Sequence, residues 1–201
     1  MENETQIEQF LTESQAYHIH RLFSQLISIL HSLEIDFWCV GGTLLGAVRC
    51  GGVVLYDDDI DIAINLKDKE FLHSAEFQKR LGWLKMKLVK PSHLYYKIKY
   101  IDCEEDVFID ICLIDENGYD LRKHKEKRRF LEGEIYPLRE VKFSSIKWSV
   151  FIPNKAEEYL DRIFPDWRTT AVIYNHSDKK KHKQTIPLTD AINIPVKYYY
   201  K

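Results

Sequence analysis

The hydrophobic positions of this chain change period several times, and each change marks an element. Ile19, Leu22, Phe23, Leu26, Leu30 and Leu33 recur at steps of three and four, which predicts an amphipathic helix over 14–33 with Ser14 at its start. IDFWCV (35–40) is a continuous apolar run and predicts a short buried strand, broken by Gly41 and Gly42. TLLGAVR (43–49) predicts a short helix ended by Gly51-Gly52. From Asp59 to Asn65 the period drops to two: Ile60, Ile62 and Ile64 fall on one face of a strand, and Asp59, Asp61 and Ala63 on the other. A helix over 67–81, alternating strands over 84–90 and 94–101, and a largely buried strand over 107–114 follow. A charged helix over about 119–133, a strand-like stretch near 140–151 and a helix from Pro153-Asn154 to about Phe164 complete the pattern. Beyond it stand a basic run, Lys179–Lys183, and an aromatic tail, Tyr198–Tyr200. No internal repeat and no linker rich in Gly, Pro or Ser interrupts the order. The expectation is one α/β domain over 1–201, a mixed sheet flanked by helices with a helical C-terminal portion.

Composition narrows the class. In 201 residues, 45% apolar positions suffice for a core, and a net charge of −2 gives no global case for nucleic-acid or membrane binding. No apolar run reaches the ~20 residues of a membrane-spanning helix, and the polar, acidic N-terminus is no signal peptide. The four cysteines form no C-x-x-C pair, and Cys39 and Cys112 sit in apolar runs as small buried hydrophobes. A cytoplasmic protein is expected. The tryptophans Trp38, Trp83, Trp148 and Trp167 are expected in the core. His18, His20 and His31 are expected on the surface or between helices.

The candidate chemistry is acidic. Asp59 and Asp61, two apart on a strand, project the same way and repel unless a cation lies between them; a hard divalent ion, Mg2+ or Mn2+, would relieve this. Asp110 is the natural third carboxylate, a charge in an apolar strand that needs a partner. That partner is either the shared metal or a salt bridge to Lys97 or Lys99, unless the carboxylate is exposed at a strand edge. Gly41, Gly42 and Thr43 precede a short helix and could present N–H groups and a hydroxyl to a phosphate, although a tight turn is the commoner meaning of Gly-Gly. Arg49 could bind phosphate bidentately or pair with the acidic strand. Lys97 and Lys99 share the polar face of their strand and either neutralise a triphosphate or diphosphate or form a solvated face. The Lys179–Lys183 run reads as a solvated loop, and no P-loop, H-E-x-x-H or G-x-S-x-G occurs.

GGTLLGAVRCGGVVLYDDDIDIAI (41–64) resembles the signature of the LicD family of phosphocholine transferases, which includes the fukutin-related proteins. YYKIKY (95–100), FIDICLID (108–115) and VFIPNKAEEYLDRIFPDW (150–167) extend the likeness in the same order. Cys50, Leu55-Tyr56 and Arg168-Thr169 depart from it, where the family usually has His, Pro-Trp and a proline. The resemblance implies a nucleotidyltransferase-like fold and metal-dependent transfer of a phospho-alcohol from a CDP-activated donor to a glycan or lipid-linked sugar. Asp59, Asp61 and Asp110 would be the catalytic metal ligands, and Gly41, Gly42 and Thr43 would line the donor phosphates. The alternatives are a nucleotidyltransferase acting on a small acceptor, and a binding module without catalysis. The chain is short for such a protein, so an acceptor-binding extension is expected to be missing or supplied by a partner.

Overall fold

The computed structural model describes residues 11–54, 57, 59–123, 125–143, 146, 148–174 and 183–188. Helix α1 (Glu13–Ser32) opens with a capping box: the Thr12 hydroxyl accepts from the Gln15 backbone N–H, and the Gln15 side chain accepts from that of Thr12. The cap is therefore Thr12, two residues ahead of the predicted Ser14. Strand β1 (Trp38–Cys39) is a brief pairing, shorter than the predicted 35–40 run. Helix α2 (Gly41–Arg49) follows it directly, and strand β2 (Asp59–Asn65) comes next.

The helix predicted over 67–81 is two elements. A run of tight 3-10 turns covers Leu66–His73, and Ser74, extended, caps a fresh helix α3 (Ala75–Trp83) by accepting from the Phe77 N–H at 3.2 Å. Strands β3 (Met86–Ser92), β4 (Tyr95–Tyr100) and β5 (Phe108–Ile114) then complete a five-stranded mixed sheet in the order β1-β2-β5-β4-β3. β2 and β5 are parallel, and the other pairs are antiparallel. β5 lies at the centre, which accounts for its nearly continuous apolar sequence.

The two faces of the sheet differ. Ile60, Ile62, Ile64, Ile109, Ile111, Leu113, Tyr96 and Ile98 are buried behind it, together with the inward stripe of α1 that includes Leu22, Phe23, Leu26 and Leu30. The front carries Asp59, Asp61, Asp110, Tyr95 and Lys97, with α2 packed beside β2. Of the tryptophans, Trp38 and Trp167 belong to the core, whereas Trp83 is 68% exposed and Trp148 is 37% exposed, contrary to expectation. Trp83 closes a short helix and lies under the Lys79 ammonium at 4.8 Å.

Two further corrections concern the C-terminal half. Among the described residues of 119–133 no charged helix forms. Asp115 accepts from the N–H groups of Asn117 and Tyr119 at 3.0 and 2.8 Å, and Asp120 accepts from that of Arg122 at 2.9 Å. These side-chain bonds fold the segment into turns in competition with helix, leaving only a 3-10 turn at Glu126–Arg128. The stretch near 140–151 is a hairpin of β6 (Arg139–Lys142) and β7 (Ser149–Ile152). Helix α4 (Ala156–Ile163) forms close to where it is predicted. It is followed by a second hairpin, β8 (Thr170–Tyr174) with β9 (Lys183–Pro187), which the sequence pattern does not announce. Apart from Lys183, which opens β9, the basic run and the aromatic tail lie outside the described residues. Among the described residues, no helix is long and apolar enough to cross a membrane.

Candidate active site

Register brings the acidic residues together. In the parallel β2–β5 pair Asp61 lies beside Asp110, and in the antiparallel β4–β5 pair Asp110 lies beside Lys97. One row across three strands therefore reads carboxylate, carboxylate, ammonium. Asp59 stands one step up β2 on the same face, opposite Phe108. Carboxylate oxygens of Asp59, Asp61 and Asp110 lie within 4.8 Å of one another.

Asp110 is 4% exposed and densely partnered. The Tyr95 hydroxyl lies 2.9 and 3.0 Å from its two oxygens, Lys97 Nζ is 3.3 Å away, and Arg122 Nη1 donates at 2.5 Å. Burial pushes its carboxyl above the ordinary aspartate value, and the charge of Asp61 pushes it further. Lys97, Arg122 and the Tyr95 hydroxyl pull the other way without cancelling the rise. Lys97 also stands over the Phe108 ring, 3.1 Å from its centroid. The salt bridge from Asp110 to Lys97, one of the expectations for this carboxylate, is thus formed, and exposure at a strand edge is not what is found.

The glycines at the start of α2 make room for carboxylates. Gly41 has φ +59°, and a Cβ there would stand 2.4 Å from Asp61 Oδ2; a Cβ on Gly42 would stand 1.7 Å from Asp57 Oδ2. The N-terminus of α2, with its outward N–H groups, thus abuts the acidic strand. Thr43 is buried, and its hydroxyl accepts from the Asp61 N–H at 2.8 Å. It fixes Asp61 through the backbone.

A cleft of about 980 Å³ opens in front of this row. Gly41, Gly42, Asp57, Asp59, Asp61 and Asp110 form its acidic floor. Arg49, Lys97, Arg122, Lys123 and Arg128 supply basic groups along its walls. Phe164, Trp167 and Val172 make an apolar side, from the end of α4 and from β8. Arg49 reaches toward that side and donates to the carbonyls of Trp167 and Thr170 at 3.4 Å each. Lys99 does not line the cleft: it pairs with Asp106 at 2.6 Å. Asp58 lies outside the described residues.

Two contributors escape the sequence pattern. Arg122, inside the segment expected to be helical, bridges the site by donating to Asp110 Oδ2 at 2.5 Å and to Asp61 Oδ1 at 3.2 Å. Tyr95 shares a face with Lys97 and could have been drawn in by parity; Arg122 could have been found only by reading Asp115, Gly118 and Asp120 as turn formers.

The donor set suits a hard divalent cation. It consists of carboxylates alone, clustered closely enough to share an ion and mounted on two adjacent strands of a packed sheet. Asp59, Asp61 and Asp110 could hold such an ion at the floor of a cleft large enough for a nucleotide-sized ligand.

A mixed sheet flanked by helices, with acidic residues from adjacent strands facing a deep cleft, defines an α/β domain of the nucleotidyltransferase type. The chain belongs to the LicD/FKTN/FKRP family, whose nucleotidyltransferase-domain model matches residues 34–155. An uncharacterized protein of Rickettsia typhi is 33% identical over 172 residues, covering 82% of this chain and 51% of the relative. The ribitol 5-phosphate transferase FKRP of Mus musculus is 25% identical over 150 residues, covering 69% of this chain and 29% of its own length. The chain thus spans about half or less of these relatives. The crystal structure of ANT(2'')-Ia in complex with adenylyl-2''-tobramycin superposes with a TM-score of 0.45 at 15% identity, covering 73% of this chain and 78% of that one. No function follows from that likeness.

Proposed function

We propose that this chain is a metal-dependent transferase that moves a phospho-alcohol group, such as phosphocholine or ribitol phosphate, from a CDP-activated donor to a hydroxyl of a glycan or lipid-linked sugar. The observation that carries the reading is the β2–β5 register, which sets Asp61 beside Asp110 with Asp59 above them at the floor of the cleft. Family membership supports a transferase reaction.

Asp59, Asp61 and Asp110 would hold Mg2+ or Mn2+. The ion, when bound, would polarise the phosphoryl group and ease ionisation of the acceptor hydroxyl. Gly41 and Gly42, at the start of α2, face the donor phosphates with backbone N–H groups. Arg49 and Lys97, with Lys123 and Arg128, balance the charge of the departing nucleotide. Thr43 serves the site indirectly, by fixing the Asp61 backbone. Lys99, engaged with Asp106, has no direct part. Asp110, whose carboxyl is held above its ordinary value, is suited to take a proton from the attacking hydroxyl. The acceptor oxygen forms a bond to the donor phosphorus, the bond from phosphorus to the leaving phosphate oxygen breaks, and CMP departs.

The test is a panel of CDP-alcohols with MnCl2 or MgCl2, with CMP release followed by mass spectrometry. Metal-dependent CMP release that falls at least about 100-fold in Asp61→Asn and Asp110→Asn supports the proposal. Near-parental turnover in either variant refutes the metal role. The family's nucleotidyltransferase description keeps a second reading open, transfer of a nucleoside monophosphate, which would release pyrophosphate from a nucleoside triphosphate.

A further inference from the structure

Arg122 occupies an unusual position for a basic residue in a cleft wall. Its guanidinium uses two separate nitrogens to bridge Asp110 and Asp61, two of the three residues assigned above to a divalent ion. Its Nη2 also donates to the Cys112 sulfur at 3.2 Å. Its third nitrogen is different: Nε is buried and has no hydrogen-bond partner among the described residues. The Asp120 carboxylate lies 3.9 Å from it, beyond hydrogen-bond reach. A cavity of about 20 Å³ adjoins the guanidinium, lined among others by Asp61, Cys112, Asp120, Arg128 and Tyr159. Arg122 is therefore bound to the row that faces the cleft, with the Asp120 carboxylate just out of hydrogen-bond reach and a water-sized void beside it.

A planar fork and a divalent ion cannot both draw fully on the same two carboxylates. The lone pairs are shared, and the two positive charges repel across a short gap in a poorly solvated site. We propose that Arg122 is a built-in competitor of the metal: it neutralises Asp61 and Asp110 and yields them to an arriving divalent ion by withdrawing toward Asp120. This rests on the metal reading of the triad given above. Arg122 is thereby a positioning residue that sets the affinity for the ion. Its replacement should tighten metal binding, and disabling its alternative partner should weaken it.

The experiment is calorimetric titration of the whole chain with MnCl2, for the parent, Arg122→Gln, Arg122→Lys and Asp120→Asn. The amide in Asp120→Asn can still accept from the Arg122 backbone N–H, so the turn is kept while the charge is lost. The expected result is a Kd lowered at least tenfold in Arg122→Gln, lowered less in Arg122→Lys, whose ammonium keeps the charge but not the fork, and raised several-fold in Asp120→Asn. Weaker binding in Arg122→Gln overturns the proposal, since it would mean that the guanidinium holds the ligands in place for the metal. Unchanged binding in both Arg122→Gln and Asp120→Asn also overturns it while leaving the metal reading intact. If Arg122→Gln fails to fold, Asp120→Asn decides: unchanged or tighter binding there overturns the proposal. Absence of Mn2+ binding by the parent overturns the metal reading and this proposal together.

Discussion

Gly41→Ala isolates how the start of α2 controls the acidic site, and Gly133→Ala is its internal control. Both glycines adopt left-handed backbone, φ +59° at Gly41 and +73° at Gly133. An L-residue in that conformation costs about 1–2 kcal/mol, so both variants should lose stability by that amount. With a urea slope of about 2 kcal/mol per molar, the midpoint falls by about 0.5–1 M. The surroundings then separate them. A new Cβ at 133 meets nothing within 4 Å among the described residues, whereas one at 41 stands 2.4 Å from Asp61 Oδ2, when ordinary contact begins at 3.4 Å. The Asp61 carboxylate must retreat by about 1 Å, several times the ~0.2 Å tolerance of a metal–ligand distance. Gly41→Ala should therefore bind Mn2+ at least about tenfold more weakly than Gly133→Ala, at similar or somewhat greater loss of stability. Urea melts and calorimetric titration with MnCl2 give both numbers. Equal Mn2+ affinity in the two variants would refute the argument that Gly41 exists to seat Asp61.

Two further outcomes follow from other contacts. Thr43→Val leaves the part-buried Asp61 N–H without its acceptor and should cost about 1–3 kcal/mol in urea melts, while Thr43→Ser restores it; equal stability of the two variants would contradict the role. Glu134 lies buried between the Arg162 guanidinium, at 2.6 Å to each oxygen, and the Leu131 N–H. Burial alone would raise its carboxyl, but the hydrogen bonds from Arg162 and Leu131, with the charges of Arg162 and Lys155, outweigh it and hold the group below its ordinary 4.5. The unfolded chain therefore takes up this proton first as pH falls. The stabilisation is complete above pH 4.5 and drains away as pH drops through the lower folded value. Glu134→Gln should lose about 1.5–3 kcal/mol at neutral pH and show a flatter decline of stability in acid. Thermal melts between about pH 3 and 7 check this, and parallel declines in parent and variant would exclude it.

Much of the site is legible from side-chain parity. Asp59 and Asp61 share a face because they lie two apart on a strand, and Tyr95 and Lys97 do the same one hairpin later. That Asp110 stands beside Asp61 is a matter of register between strands about fifty residues apart, and no local pattern fixes it. The chemistry of three clustered carboxylates made the pairing a reasonable expectation. Arg122 was hidden because its neighbourhood is rich in Lys, Arg and Glu, good helix formers, while the outcome was decided by side-chain bonds from Asp115 and Asp120. The same limit explains the split at Ser74, where a cap interrupts residues that would otherwise extend a helix. The hairpins β6–β7 and β8–β9 are short antiparallel pairs, and their sequences alternate too weakly to reveal the turn.

The central strand has two employers. Ile109, Ile111 and Leu113 are locked into the oily layer beneath α1, while Asp110, sandwiched between them in sequence, answers to the cleft. A loosened core therefore has no way to relax β5 without also changing the gap between Asp110 and Asp61. A substitution as remote as Leu26→Ala, deep in α1, should blunt the site's grip on a cation before the molecule melts, so ageing of the scaffold would be felt first as lost chemistry.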